Sequence, residues 1–242
     1  LAWSSDAADT AKGIYNFCQT IFNLPCSLIT PITISIIPTV TAALTKSNTA
    51  GARHTEESAV RTMSLIAMPC AVGLAVLSEP IIRLLARNYG PESVATAAPI
   101  LAYLGIAVIF NSTVLLFNAI MQAHGDVTTP VVNMLIGGIV KVVVNYILVA
   151  IPSLNIIGAA IGTIVCYVTI TALDLIAMRR TVTTHPAVAR NLIRPAAAAA
   201  ACTVSYTLFT SVFTFWRRHS AKERPPPSPA YSCASNASSV VG

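Results

Sequence analysis

Apolar residues run along this chain in blocks of about 20, broken by short polar hinges, and that is the length a helix needs to cross hydrocarbon. Runs near 13–44, 59–85, 97–121, 131–151, 156–178 and 192–215 predict six spans, each covering roughly 30 Å at 1.5 Å rise per residue. The expected fold is an all-α integral membrane protein. Residues 1–12 read as the remnant of an extracytoplasmic loop. Residues 217–242, rich in Pro, Ser and Ala, read as a disordered or aberrant tail. The chain opens at Leu1 on "LAWSSDAADTAKG", which lacks the basic flank and apolar core of a signal peptide, so a fragment with its upstream part missing is expected.

Composition agrees with the pattern. The chain is 55% hydrophobic and 10% charged, where soluble domains carry about 25% charge, and its mean hydropathy is +0.70. The net charge of +6 bears on topology rather than on nucleic acid, because no basic stripe with interleaved aromatics accompanies it. Lys46, Arg53 and Arg61 in the 45–61 loop, and Arg179, Arg180, Arg190 and Arg194 in the 179–194 loop, put that side of the membrane in the cytoplasm. The opposite side keeps Lys12, Arg83 and Arg87. The tail does not fit this count, since Arg217, Arg218, Lys222 and Arg224 would fall outside.

Catalytic patterns are missing: there is no P-loop, GxSxG or HExxH, and no carboxylate cluster at a membrane boundary, so neither an enzyme nor a cofactor is expected. Cys18, Cys26, Cys70, Cys166 and Cys202 sit in apolar runs without CxxC spacing and read as small buried hydrophobes, not as metal ligands or disulfides. His54, His124, His185 and His219 fall in loops or the tail and read as solvated.

Three features inside the spans stand out. The first run carries Pro25, Pro31 and Pro38, each removing a main-chain donor, which predicts a kinked or locally unwound helix, placed either against a cavity or against a packing neighbour. Acidic groups are few: Asp174 lies near the inner end of the fifth span, where it reads as a solvated helix-end charge, and Glu79 near the outer end of the second. In the fifth span Gly158 and Gly162 stand at GxxxG spacing just after the short "PSLN" turn, which predicts a tight antiparallel hairpin of spans four and five.

The fourth span holds a single charge, Lys141, at its middle, with Gly137, Gly138 and Asn145 on the same helical face. Lys141 lies roughly 15 Å from each end of the span, beyond the reach of a lysine of about 6 Å, so snorkelling alone does not hydrate it. An ammonium at that depth costs about 3 kcal/mol or more unless water, a carboxylate or an anion meets it. A salt bridge to Asp174, a lipid-facing anchor and a deprotonated lysine stay open. The preferred expectation is a wet cationic cavity for an anionic substrate, with Asn118, Gln122 and Asn145 as further polar groups; Asn111 and Asn133 are the other amides at depth.

The stretches "YNFCQTIFNLPCSLITPITISIIPTVTAAL", "MPCAVGLAVLSEPIIRLL", "AIMQAHGDVTTPVVNMLIGGIVKVVVNYILV" and "IPSLNIIGAAIGTIVCYV" resemble, in order and spacing, successive helices of the stage V sporulation protein B and polysaccharide biosynthesis protein family. The resemblance covers about residues 6 to 216. Its superfamily includes lipid II and oligosaccharide flippases and the multidrug and toxin extrusion exporters. It implies a fold of about fourteen helices in two lobes, with this chain supplying most of the C-terminal lobe and the N-terminal lobe missing. It also implies alternating access, a bacterial plasma-membrane location among membrane lipids, and a lipid-linked sugar diphosphate as substrate, for which Lys141 becomes a candidate headgroup contact. A cation-coupled multidrug exporter, a non-transport scaffold of a wall-synthesis complex and, last, an enzyme acting on lipid-linked sugars are the competing expectations. The scarcity of deep carboxylates weighs against the exporter.

Overall fold

The computed structural model describes residues 5–85, 91–150 and 156–182. Six helices follow one another among them: α1 Ser5–Thr45, α2 Thr49–Val76, α3 Ser78–Leu85, α4 Pro91–Ala123, α5 Thr128–Val149 and α6 Ile157–Thr181. All but α3 are long and apolar enough to cross a membrane. The run near 192–215 and the tail at 217–242 lie outside the described residues.

Two expectations change. The first run is one continuous helix of 41 residues through Pro25, Pro31 and Pro38, and it begins at Ser5, so residues 5–12 are helical turns rather than loop. Local unwinding is not what the prolines produce. Hydroxyls in the adjoining turns bond back to main-chain carbonyls of the same helix, Ser27 to Leu24 at 2.7 Å, Thr30 to Cys26 at 2.9 Å and Ser35 to Ile32 at 2.7 Å, so these side chains satisfy themselves locally.

The second run divides into α2 and α3, and α2 starts at Thr49, well before the apolar residues begin. Asn48 caps it, its Oδ1 accepting from Gly51 N at 2.8 Å, so the basic "loop" is mostly helix and the true turn is Lys46–Asn48, with Ser47 at φ 56°. The break falls at Leu77, whose N–H donates to Gly73 O at 2.8 Å. Pro80 follows in the first turn of α3, where a missing N–H leaves no intrahelical bond unmade.

The most apolar span, α4, takes the centre, as expected for a helix without a polar face, and α1, α2, α3 and α6 pack around it. One core cluster joins Phe22 of α1, Leu74 of α2, Ile82 of α3 and Leu101 and Leu104 of α4. Another, nearer the α4–α5 turn, joins Ile29, Met63, Leu116, Phe117 and Met178. A Cβ on Gly105 would come within 2.8 Å of Ala75 N, so α4 and α2 touch backbone to backbone there. Helix α5 stands outside this group, held chiefly by α6.

Candidate functional site

The α5–α6 hairpin is present, and its glycines set the register. A Cβ on Gly158 would meet Leu148 C at 2.9 Å, one on Gly162 would strike Asn145 Oδ1, and one on Gly137 would strike Ile170 Cγ1. Asn133 Nδ2 donates to Asp174 Oδ1 at 2.9 Å at the end of the same seam nearer the α4–α5 turn. Each step along α5 is thus matched by an equal step back along α6, as antiparallel helices require. Gly138, one position round from Gly137, is exposed and contacts nothing.

This register places Lys141 level with Cys166. Asp174 is eight residues further along α6, roughly 12 Å of helix rise away. Among the described residues Lys141 makes no ion pair, and Asp174 is turned to Asn133 instead. The salt-bridge alternative for Lys141 therefore drops out by geometry. Lys141 is half-buried on the α6 side of a helix whose other exposed positions, Val131 to Val149, are apolar or glycine apart from the Tyr146 hydroxyl.

The remaining polar candidates do not gather around the lysine. Asn145 shares its face, packed on Gly162 with its Oδ1 buried and unpartnered. Asn118 of α4 is buried and reaches Met134 Sδ at 3.6 Å, which puts it about 10 Å of rise from Lys141 toward the start of α5. Gln122 is exposed, a further turn along α4. Asn111 donates to Cys26 Sγ at 3.0 Å and serves the α1–α4 contact.

Asp174 is not a solvated helix-end charge. It is 0% exposed, because Asn133 and the α5 turn around it close over the end of α6 that sequence position alone leaves open. His124 is likewise not a solvated loop residue. Its Nε2 lies 2.8 Å from Glu56 Oε1, with both side chains buried, and the pair ties α2 to the end of α4. Glu56 was legible: extended back along α2, the stripe Met63, Val60, Ala59, Ala52 contains it. His54 is exposed, and His185 and His219 lie outside the described residues. Cys18, Cys26 and Cys166 are buried free thiols, Cys70 is half-buried and free, and Cys202 lies outside the described residues.

A second polar feature emerges only from the fold. Helix α1 exposes Asn16, Thr20, Asn23 and Ser27 at spacings of three and four, so they form one stripe along a membrane-crossing helix, flanked by Leu24, Leu28 and Ile34. Toward the end of α1 the stripe drifts round to Ser35 and Thr39. There it meets His54, Thr55, Ser58 and Thr62 of α2 across a groove of about 290 Å³ floored by Ile32, Ile36 and Ala59. The groove is lined by hydroxyls and one imidazole, without a formal charge.

Residues 2–224 match the family described as lipid II flippase MurJ. The chain belongs to the MurJ family. It is 28% identical over 158 residues to the lipid II flippase MurJ of Bacillus subtilis (strain 168), covering 63% of this chain and 27% of that protein. It is 24% identical over 157 residues to the stage V sporulation protein B of the same organism, covering 65% and 29%. The chain thus spans under a third of the length of these curated relatives. Its fold resembles the solved inward closed conformation of lipid II flippase MurJ with a TM-score of 0.64 at 17% identity, over 82% of this chain and 41% of that one. An inward-facing multidrug resistance MATE family transporter of the MOP superfamily gives 0.60 at 12%, over 83% and 50%. The family resemblance and the all-α membrane fold agree with expectation, and the chain is part of a multi-pass protein of the bacterial plasma membrane.

Proposed function

We propose that this chain forms one lobe of a flippase that carries a lipid-linked sugar diphosphate of the peptidoglycan-precursor kind from the inner to the outer leaflet by alternating access. The observation that carries the reading is the polar stripe of α1. Hydroxyls and amides on a membrane-crossing helix belong against water or protein rather than hydrocarbon, and a sugar headgroup needs such a wet, hydrogen-bonding wall. The missing lobe supplies the opposite wall. Lys141 is the cation assigned to the diphosphate, since an ammonium in a partly dehydrated site attracts phosphate strongly and offers three donors. Gln122, exposed toward the cytoplasm, meets the headgroup on arrival. Asn118 and Asn145, packed inside the lobe, act as positioning residues. The chemistry is binding and release, with no covalent step.

The test is a flipping assay with lipid II in proteoliposomes bearing the full-length protein. Lys141→Ala is expected to lower both translocation and photocrosslinking of the lipid by about tenfold, the worth of one charge-assisted contact of roughly 1.5 kcal/mol, and Lys141→Glu to abolish both. Unchanged crosslinking in both variants removes Lys141 from the headgroup site. The cation-coupled exporter gains one observation, the burial of Asp174, and an ion-driven drug efflux that lipid II does not compete with would favour it.

A further inference from the structure

The groove between α1 and α2 is lined by one kind of polar group used in one way. Ser35 and Thr39 stand four apart on α1, and Thr55, Ser58 and Thr62 stand three and four apart on α2, so each helix turns a single hydroxyl face to the groove. Four of these hydroxyls already spend their proton on their own helix. Ser35 donates to Ile32 O at 2.7 Å, Thr39 to Ser35 O at 3.3 Å, Thr55 to Gly51 O at 3.0 Å and Thr62 to Ser58 O at 3.0 Å. A hydroxyl that has donated its hydrogen keeps its oxygen lone pairs, so these four offer acceptors and no donor. Ser58 and the exposed His54 imidazole are left as the donors of the wall.

A wall of acceptors selects its ligand by what the ligand must donate. Phosphate brings acceptors of its own, and among the described residues no lysine or arginine lines the groove: Arg53, next to His54 in sequence, is held by Glu57 at 3.1 Å. An ammonium has the donors, but no carboxylate lines the groove to offset the loss of its hydration. A sugar ring matches on both counts. Its hydroxyls and amides donate without carrying charge, and its C–H face rests on the buried floor of Ile36 and Ala59. The groove's volume of about 290 Å³ lies at the lower edge of the roughly 300–1,000 Å³ of small-molecule pockets, which suits a single ring better than a longer glycan. We propose that the α1–α2 groove is a sugar subsite that takes one uncharged pyranose ring by its hydroxyl hydrogens.

The source of the ring rests on the flippase reading, in which it belongs to the headgroup of the lipid-linked sugar diphosphate. The groove continues the stripe of Asn16, Thr20, Asn23 and Ser27 along α1, so a headgroup on that stripe reaches it without leaving a polar surface. Helix α5 touches neither α1 nor α2, so Lys141 is no part of the groove. Sugar and diphosphate are then recognised by separate elements of the lobe, the ring by neutral acceptors and the diphosphate by a cation.

Saturation-transfer NMR tests the groove on the full-length protein in phosphatidylcholine nanodiscs made without glycoside detergent, with methyl glucoside as the probe. The wild type is expected to transfer signal to the ring protons. The double variant Thr39→Val, Thr62→Val should weaken binding about tenfold, the worth of two neutral hydrogen bonds. Both positions are exposed and valine keeps the shape of threonine, so the fold survives. Thr171→Val, which removes a hydroxyl of the same kind from α6, should leave binding unchanged. Permethylated glucoside, which keeps the ring oxygens and loses every donor, should not bind. No transfer in the wild type, equal binding by the double variant or by the permethylated ring, or displacement by inorganic phosphate or ethylammonium overturns the proposal. A photocrosslinking side chain at position 54 identifies the source of the ring. Lipid II should be captured, and the same polyprenyl diphosphate without sugar should not; equal capture of both overturns the proposal. A groove that binds methyl glucoside in the expected pattern and captures neither lipid holds a free sugar, and then the flippase reading fails while the subsite stands.

Discussion

A few side chains decide what each helix is allowed to face. Glu56 and His124 show this most directly: a carboxylate and an imidazole 2.8 Å apart, both out of water, hold the start of α2 to the end of α4. Truncating one partner takes a buried hydrogen bond from the other, so His124→Ala is expected to destabilise the protein by about 1–3 kcal/mol, and the double variant with Glu56→Leu to recover part of that. Thermal unfolding in detergent measures both, and equal losses in the single and double variants would remove the coupling. This contact spans 68 positions of sequence, and no spacing rule announces it. What is legible is only half of it, the core position of Glu56 on its own helix. Asp174 has the same cause: its depth is set by Asn133 on a different helix, whereas its distance from the end of α6 suggests solvent.

Helix pairing is more readable than side-chain placement, because it is driven by patterns that repeat. The GxxxG spacing of Gly158 and Gly162 and the short "PSLN" stretch before it predict the α5–α6 hairpin, and a Cβ at either glycine would meet α5. Filling that seam tests it. Gly162→Val pushes two methyls into Asn145 and is expected to cost about 1–3 kcal/mol, read as a lower melting temperature, while Gly138→Ala, whose Cβ would meet nothing, should leave it unchanged. Equal effects from both substitutions would mean that helix propensity rather than packing is being measured. The boundaries of α2 escape sequence reading because its first turns carry polar and basic residues, which hydropathy scores as loop. The capping amide of Asn48 is the local signal that marks the true start.

At the scale of the whole lobe, two exposed faces differ in kind: the hydroxyls and amides of α1 with the groove on α2, and the aliphatic face of α5. The first is expected to face water and the second lipid. Single cysteines placed at Ser27, Ser35 and Thr39, in a background without native cysteines, should react with a membrane-impermeant maleimide, and cysteines at Leu135, Val142 and Val143 should not. Labelling of α5 with silence on α1 would invert the assignment. Asn16, Thr20, Asn23 and Ser27 stand in the sequence at helical spacing, but their face is hidden there, since an exposed stripe and a buried hydrogen-bonding stripe have the same period. The prolines of α1 give this face a mechanical property as well. Pro31 and Pro38 lie on it, and each deprives the carbonyl one turn back, that of Ser27 and that of Ile34, of its main-chain donor. A rod with bonds missing along one side is softer in one plane than in the other, so α1 flexes most easily toward and away from the groove.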